Sequence, residues 1–213
     1  MIAALLFVLG CSEYQVYEPP VLPPAEPPGV PPAAIGAPPD WATCTLGYAG
    51  HYINLTPEDM GVAPPDSGTG DELNYDSLNW WSTSRPQVQD FDPSLDKGSN
   101  WWPVDDGIAG DPAYFAAWWV VWIKANAATE GSFTLGAATD VWVYLDNKLV
   151  GSQSGRTELV AETFAVSLRG GQYPIVIYAA QRGGPQSALR FRWLTGDVKL
   201  CYPDFSAQVT GEE

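Results

Sequence analysis

Paired indoles, scattered carboxylates and one imidazole are the side chains in this sequence that could do chemistry. Asn79-Trp80-Trp81 and Asn100-Trp101-Trp102 set adjacent tryptophans in polar, glycine- and proline-rich surroundings. An indole offers a broad apolar face with one polar handle, so each pair could form a platform for a sugar ring. Burial in a core beneath a long loop is the other reading, because large rings usually pack. Asp66 to Asp76, DSGTGDELNYD, spaces oxygen ligands closely but lacks the register of an EF-hand, and Asp105-Asp106-Gly107 reads as a solvated turn. The one histidine, His51, falls in an expected strand and is assigned a structural role. No HExxH, GxSxG, CxxC or phosphate-loop pattern is present. Asp105 and Asp106 are neighbours in sequence, whereas glycoside hydrolysis needs carboxyl groups on opposite sides of a cleft. The chain is not expected to be an enzyme.

Composition decides which elements must hold these residues. The 213 residues carry 10 basic and 25 acidic side chains, a net charge of −15, which argues against a nucleic-acid partner held by phosphate neutralisation. With 21 glycines, 20 prolines and 10 tryptophans, strands and turns should outweigh helices. Twelve of the acids and only two bases lie between Trp41 and Asp111.

The expected divisions are 1–10, 11–40, 41–205 and a short acidic tail, 206–213. Met1 to Gly10, MIAALLFVLG, has the length of a signal-peptide core and is too short to span a bilayer. Val8-Leu9-Gly10-Cys11-Ser12 resembles the bacterial lipobox, which implies lipid on Cys11. The resemblance has two departures: no Lys or Arg precedes the apolar run, and Leu9 is bulkier than usual. Ser12 differs from the aspartate that resembles an inner-membrane retention signal, so the outer membrane is expected. Prolines then recur as Pro19-Pro20, Pro23-Pro24, Pro27-Pro28, Pro31-Pro32 and Pro38-Pro39. With φ fixed and donors missing, this stretch should be a disordered, polyproline II-like tether, reaching roughly 65 Å over residues 19–39 at about 3.1 Å per residue.

Cys44 and Cys201 bracket the remaining zone. If Cys11 carries lipid, these two can pair outside the cytoplasm and close a loop of more than 150 residues; two free buried thiols are the alternative. Between them the periodicity is two. Tyr114 to Ile123 is apolar on both faces, with Trp118, Val120 and Trp122 on one and Trp119, Val121 and Ile123 on the other, as in a buried central strand. Ser132–Gly136 follows, then Val141–Leu145, which turns at Asp146-Asn147 into Lys148–Val150 as a hairpin. Thr163–Leu168, Gly170-Gly171 and Tyr173–Ala180 predict a second hairpin, and Ala188–Trp193 alternates core residues with Arg190 and Arg192. The fold class is all-β, an antiparallel two-sheet sandwich.

Over roughly residues 45–195 the chain resembles the PA14 domain family, in its fibro-slime branch. Gly47-Tyr48-Ala49-Gly50-His51-Tyr52 is similar to the opening strand of that family. Trp118–Lys124, Gly131–Leu135 and Asp140–Val150 follow its strand, strand and hairpin pattern, with Asn147 where glycine is usual. Gly171–Tyr178 and Leu189–Trp193 resemble its last two strands. The resemblance implies carbohydrate recognition at cell surfaces, with calcium held by two adjacent aspartates before the hairpin. The matching positions here are Ala138 and Thr139, leaving Asp140 as a weak candidate. Calcium wants six to eight oxygens, so no cofactor is expected there. The opposing loop, Gln181 to Ser187, offers Gln181, Arg182 and Gln186 for direct contact with a sugar.

The sequence therefore predicts a lipid-anchored module of the bacterial envelope, at the outer membrane or cell surface, that binds polysaccharide or glycoprotein in adhesion or matrix attachment. Its candidate contacts are Trp80, Trp81, Trp101, Trp102, Asp140, Gln181, Arg182 and Gln186. The alternative is a structural envelope lipoprotein that docks to a protein partner without binding sugar.

Overall fold

The computed structural model describes residues 35–61, 73, 78–82, 85, 87–99, 113–183 and 187–205. The strands are β1 (Tyr48–Asn54), β2 (Val88–Asp92), β3 (Leu95–Ser99), β4 (Tyr114–Ala125), β5 (Thr129–Ala137), β6 (Asp140–Leu145), β7 (Lys148–Gln153), β8 (Glu162–Leu168), β9 (Gly171–Arg182), β10 (Ala188–Thr195) and β11 (Val198–Cys201). One short helix, α1 (Pro57–Met60), follows β1. The larger sheet has the order β2-β1-β4-β9-β6-β7, with β11 also paired to β4, and the smaller has the order β3-β10-β5-β8. All of their strand pairs are antiparallel. The sandwich expected from the periodicity is the observed fold.

Two apolar cores explain the composition of β4. Between the sheets, Trp119, Val121 and Ile123 of β4 meet Phe133 and Leu135 of β5 and Leu189 and Phe191 of β10. On the opposite face of the large sheet, Trp118 and Val120 join Ile53 of β1, Trp142, Tyr144, Val176 and Tyr178, and here the cover is not a sheet: Leu55, Met60 of α1, Trp80 and Trp81. A strand covered on both faces reads as a continuous apolar run. The face assignments expected for β4 and β10 hold.

Gly50 illustrates how closely the inner layer is packed. A Cβ there would stand 2.7 Å from Asp92 Oδ2 and 2.9 Å from Trp119 Nε1, so only glycine leaves room for the indole of Trp119 to donate to Asp92 at 2.8 Å. Tyr52 and Lys97 donate to the same carboxylate. Burial, then the bond to Asp92, pushes the Tyr52 hydroxyl far above its ordinary pKa. A buried aspartate is tolerated between the sheets because three donors surround it.

The turn at Asp146-Asn147 is a two-residue hairpin with both residues left-handed, at φ 48° and 63°, the geometry that matches strand twist. The second expected hairpin is not formed. β8 pairs with β5 in the small sheet, and β9 pairs with β4 and β6 in the large one. Gly170-Gly171 therefore carries the chain from one sheet to the other. A glycine pair signals a reversal but says nothing about which sheet receives the next strand.

The ends of the domain meet. Cys44 and Cys201 are joined by a disulfide across a sequence separation of 157, and Tyr202 N–H donates to Thr45 O at 2.9 Å. β11 lies along β4 at Trp122–Ala125, next to the β1 pairing at Phe115–Val120. The last residues of the proline-rich stretch are attached here too. Ala37 exchanges two backbone bonds with Asp204, at 2.8 and 2.9 Å, and the Trp122 indole donates to Ile35 O at 3.4 Å.

Candidate functional site

At one end of the sandwich, three parts of the chain converge: residues 138–139 between β5 and β6, residues 154–161 between β7 and β8, and the end of β9. Antiparallel pairing of β6 with β9 sets the first residue of one beside the last residues of the other, Asp140 opposite Ala180. The Arg182 guanidinium grips Asp140 by two hydrogen bonds, Nε to Oδ2 at 2.6 Å and Nη2 to Oδ1 at 3.1 Å. Arg182 is 2% and Asp140 0% exposed. Oδ1 also accepts from Ser154 Oγ at 2.6 Å and from the Gly155 N–H at 2.9 Å. Ser154 Oγ in turn accepts from the Leu73 N–H at 3.1 Å. Beside them Thr139 Oγ1 donates to Gln181 Oε1 at 2.7 Å, and Arg156 N–H donates to Thr139 O at 3.2 Å.

This donor set does not fit the calcium ion that the PA14 resemblance implies. Ala138 has no side-chain oxygen. Both oxygens of Asp140 are already engaged by the four donors above. A cation on the same carboxylate would also face the guanidinium, and like charges 4 Å apart repel by about 4 kcal/mol per unit charge at an effective dielectric of 20. Among the described residues there is no group of three His, Cys, Asp or Glu side chains placed to hold a metal.

The other candidates are distributed unevenly. Of the two readings of Trp80 and Trp81, a sugar platform or burial beneath a loop, the structure shows burial: they are 1% and 2% exposed. The Trp80 indole donates to Met60 O at 3.0 Å, and that of Trp81 donates to Ala117 O at 2.9 Å and Ala179 O at 3.3 Å. Trp81 packs edge-on against Trp142 and Tyr178, with ring centroids 5.6 and 5.3 Å apart. The reason is the apolar outer face of the large sheet, which needs a cover that the small sheet does not provide. Asp140, Gln181 and Arg182, expected at a ligand surface, are likewise buried, Asp140 and Arg182 bonded to each other and Gln181 to Thr139. Cys11, most of Asp66–Asp76, Trp101, Trp102, Asp105, Asp106 and Gln186 lie outside the described residues.

Helix α1 fastens the irregular cover. Thr56 caps it: its Oγ1 accepts from the Asp59 N–H at 3.1 Å while Asp59 Oδ2 accepts from the Thr56 N–H at 3.0 Å. This capping box, Thr56-Pro57-Glu58-Asp59, is a signal that the sequence itself carries. Arg85 then pairs with Asp59 at 2.8 Å.

His51 lies beneath the same cover, stacked 3.6 Å from the Trp118 ring and 5° from parallel, with Nδ1 3.0 Å from Gln87 Oε1. Burial pushes its pKa down from 6.5 to about 4. The unfolded chain binds the proton near pH 6.5 and the folded chain only near pH 4. Stability from this group is therefore complete above pH 6.5 and is lost as pH falls through that window. Between about pH 7 and pH 4.5 the loss should be about 2–3 kcal/mol. Urea unfolding of wild type and His51→Phe over this range checks it, with the variant expected to lack that part of the slope.

No protein-family model matches the sequence, and no curated protein matches it. Solved structures do match. A PA14 sugar-binding domain from an RTX adhesin is 13% identical, with a TM-score of 0.54 over 73% of this chain and 96% of that one. The PA14 domain of the antifreeze protein MpAFP is 12% identical, with a TM-score of 0.51 over 79% of this chain and 96% of that one. A GH31 alpha-xylosidase from Xanthomonas citri is matched over 53% of this chain but only 14% of its own length, with 15% identity and a TM-score of 0.35. The first two establish the class: the chain is a β-sandwich with the PA14-type fold.

Proposed function

We propose that the chain is a non-catalytic carbohydrate-binding module displayed at the bacterial cell surface. The reading is carried by one observation: the sandwich matches 96% of the length of a domain described as sugar-binding. In this reading Cys11 bears the lipid anchor at the outer membrane and the proline-rich stretch projects the sandwich. The ligand is a polysaccharide or glycoprotein, bound in adhesion or matrix attachment. Trp101, Trp102 and Gln186 are the candidate ligand contacts in this reading.

The test is capture of the full chain on a broad glycan and cell-wall panel. Binding to one glycan class is expected, with Trp101→Ala/Trp102→Ala lowering the signal at least tenfold and leaving the unfolding temperature unchanged. A loss of tenfold corresponds to about 1.4 kcal/mol, a modest value for an aromatic contact. Silence from a folded chain across the panel would overturn the reading.

Burial of Trp80 and Trp81 favours a second reading, a structural envelope lipoprotein that docks to a protein partner. It predicts one co-purifying envelope protein whose binding survives the Trp101→Ala/Trp102→Ala substitutions.

A further inference from the structure

The Asp140–Arg182 pair joins residues 42 positions apart and sits where the start of β6, the end of β9 and the chain leaving β7 meet. Its carboxylate gathers β6, β9 and the chain after β7 through Arg182, Ser154 and the Gly155 N–H. A bound divalent cation would do the same kind of work, drawing oxygens from several loops onto one charge. Here the positive charge comes from the protein itself, in the planar two-toothed geometry that suits a carboxylate.

We propose that the Arg182 guanidinium is the resident cation of this end of the sandwich, taking the place of calcium and holding the loops through Asp140 without any metal. Arg182 is thus a positioning residue. The consequence for ligand binding rests on the carbohydrate reading above: capture should not require a metal-bridged diol and should survive chelation. The consequence for folding does not depend on that reading.

The experiment is heat unfolding of the full chain in millimolar calcium and in chelator, paired with glycan capture in the same two buffers. Wild type is expected to unfold at the same temperature in both. Arg182→Gln, which leaves Asp140 buried and unpaired, is expected to unfold about 10 °C lower. Arg182→Lys keeps the charge without the fork and should fall between them. The double variant Asp140→Asn/Arg182→Gln should unfold above Arg182→Gln, because no lone charge remains. A side chain that merely filled space would give the opposite order, each substitution adding to the loss. If Arg182→Gln does not fold while the double variant does, the proposal stands on the same ground. It is overturned if calcium raises the wild-type transition and Asp140→Asn abolishes that rise, or if Arg182→Gln unfolds with wild type. Capture that survives chelation supports it. Absence of capture in both buffers counts against the carbohydrate reading alone, and the unfolding order then decides.

Discussion

Trp81→Ala is expected to destabilise the protein by about 3–5 kcal/mol, the range for truncating a fully buried aromatic side chain. Its ring is 2% exposed, packs on Trp142 and Tyr178, and donates to carbonyls of both β4 and β9. The substitution opens a cavity and leaves two sheet carbonyls short of a donor. Heat unfolding should show a transition lowered by about 10 °C. Trp81→Phe retains most of the volume but not the N–H, and should lose less. The pair also guards against a false conclusion: failure of a Trp81→Ala protein to bind a glycan would report a damaged fold. A wild-type transition in Trp81→Ala would mean that the outer core contributes little to stability.

Removal of the Cys44–Cys201 bond should have an effect of similar size. The loop closed spans 157 residues, and in the chain-entropy model its release stabilises the unfolded state by about 5 kcal/mol. Cys44→Ser, Cys201→Ser and the double variant should all lose about the same amount, since each frees the same loop. Urea unfolding with and without reductant checks this. The reduced wild type should coincide with the double variant, and a reduced protein as stable as the oxidised one would refute the prediction.

Much of the sandwich could be read from period-two patterning, because alternation fixes which face a side chain occupies. Alternation sets Trp119, Val121 and Ile123 opposite Trp118, Val120 and Trp122, and the first three line the inner core. Alternation does not say which strand lies alongside, so it predicts β8 and β9 as a hairpin where the structure puts them in different sheets. Val88–Asp92 and Leu95–Ser99 escaped notice as strands because they are short and polar, as edge strands often are. β11 escaped because only four residues of it pair. At the candidate site the limit is different. Asp140 and Arg182 were singled out, but their ion pair is set by the register of β6 against β9, which no local motif encodes. Trp80 and Trp81 sit in polar sequence, and only the apolar face of a distant sheet draws them in.

The arrangement of β1, β11 and the disulfide bears on mechanical strength. β1 runs from Tyr48, close to Cys44, to Asn54, whose partner Phe115 is itself paired with Gln181, next to Arg182. Six residue steps along a strand are about 20 Å, so Cys44 and the Asp140 loops lie towards opposite ends of the same sheet. Tension applied at Cys44 and resisted at those loops is directed along the strands. The hydrogen bonds of β1 to β2 and β4 are then loaded in shear, all at once, whereas a pull across the strands would open them one after another. The disulfide passes part of that tension into β11, which grips β4 beyond the start of β1. A domain tugged by its N-terminal side through a ligand at its far end would thus meet the load in its most resistant direction.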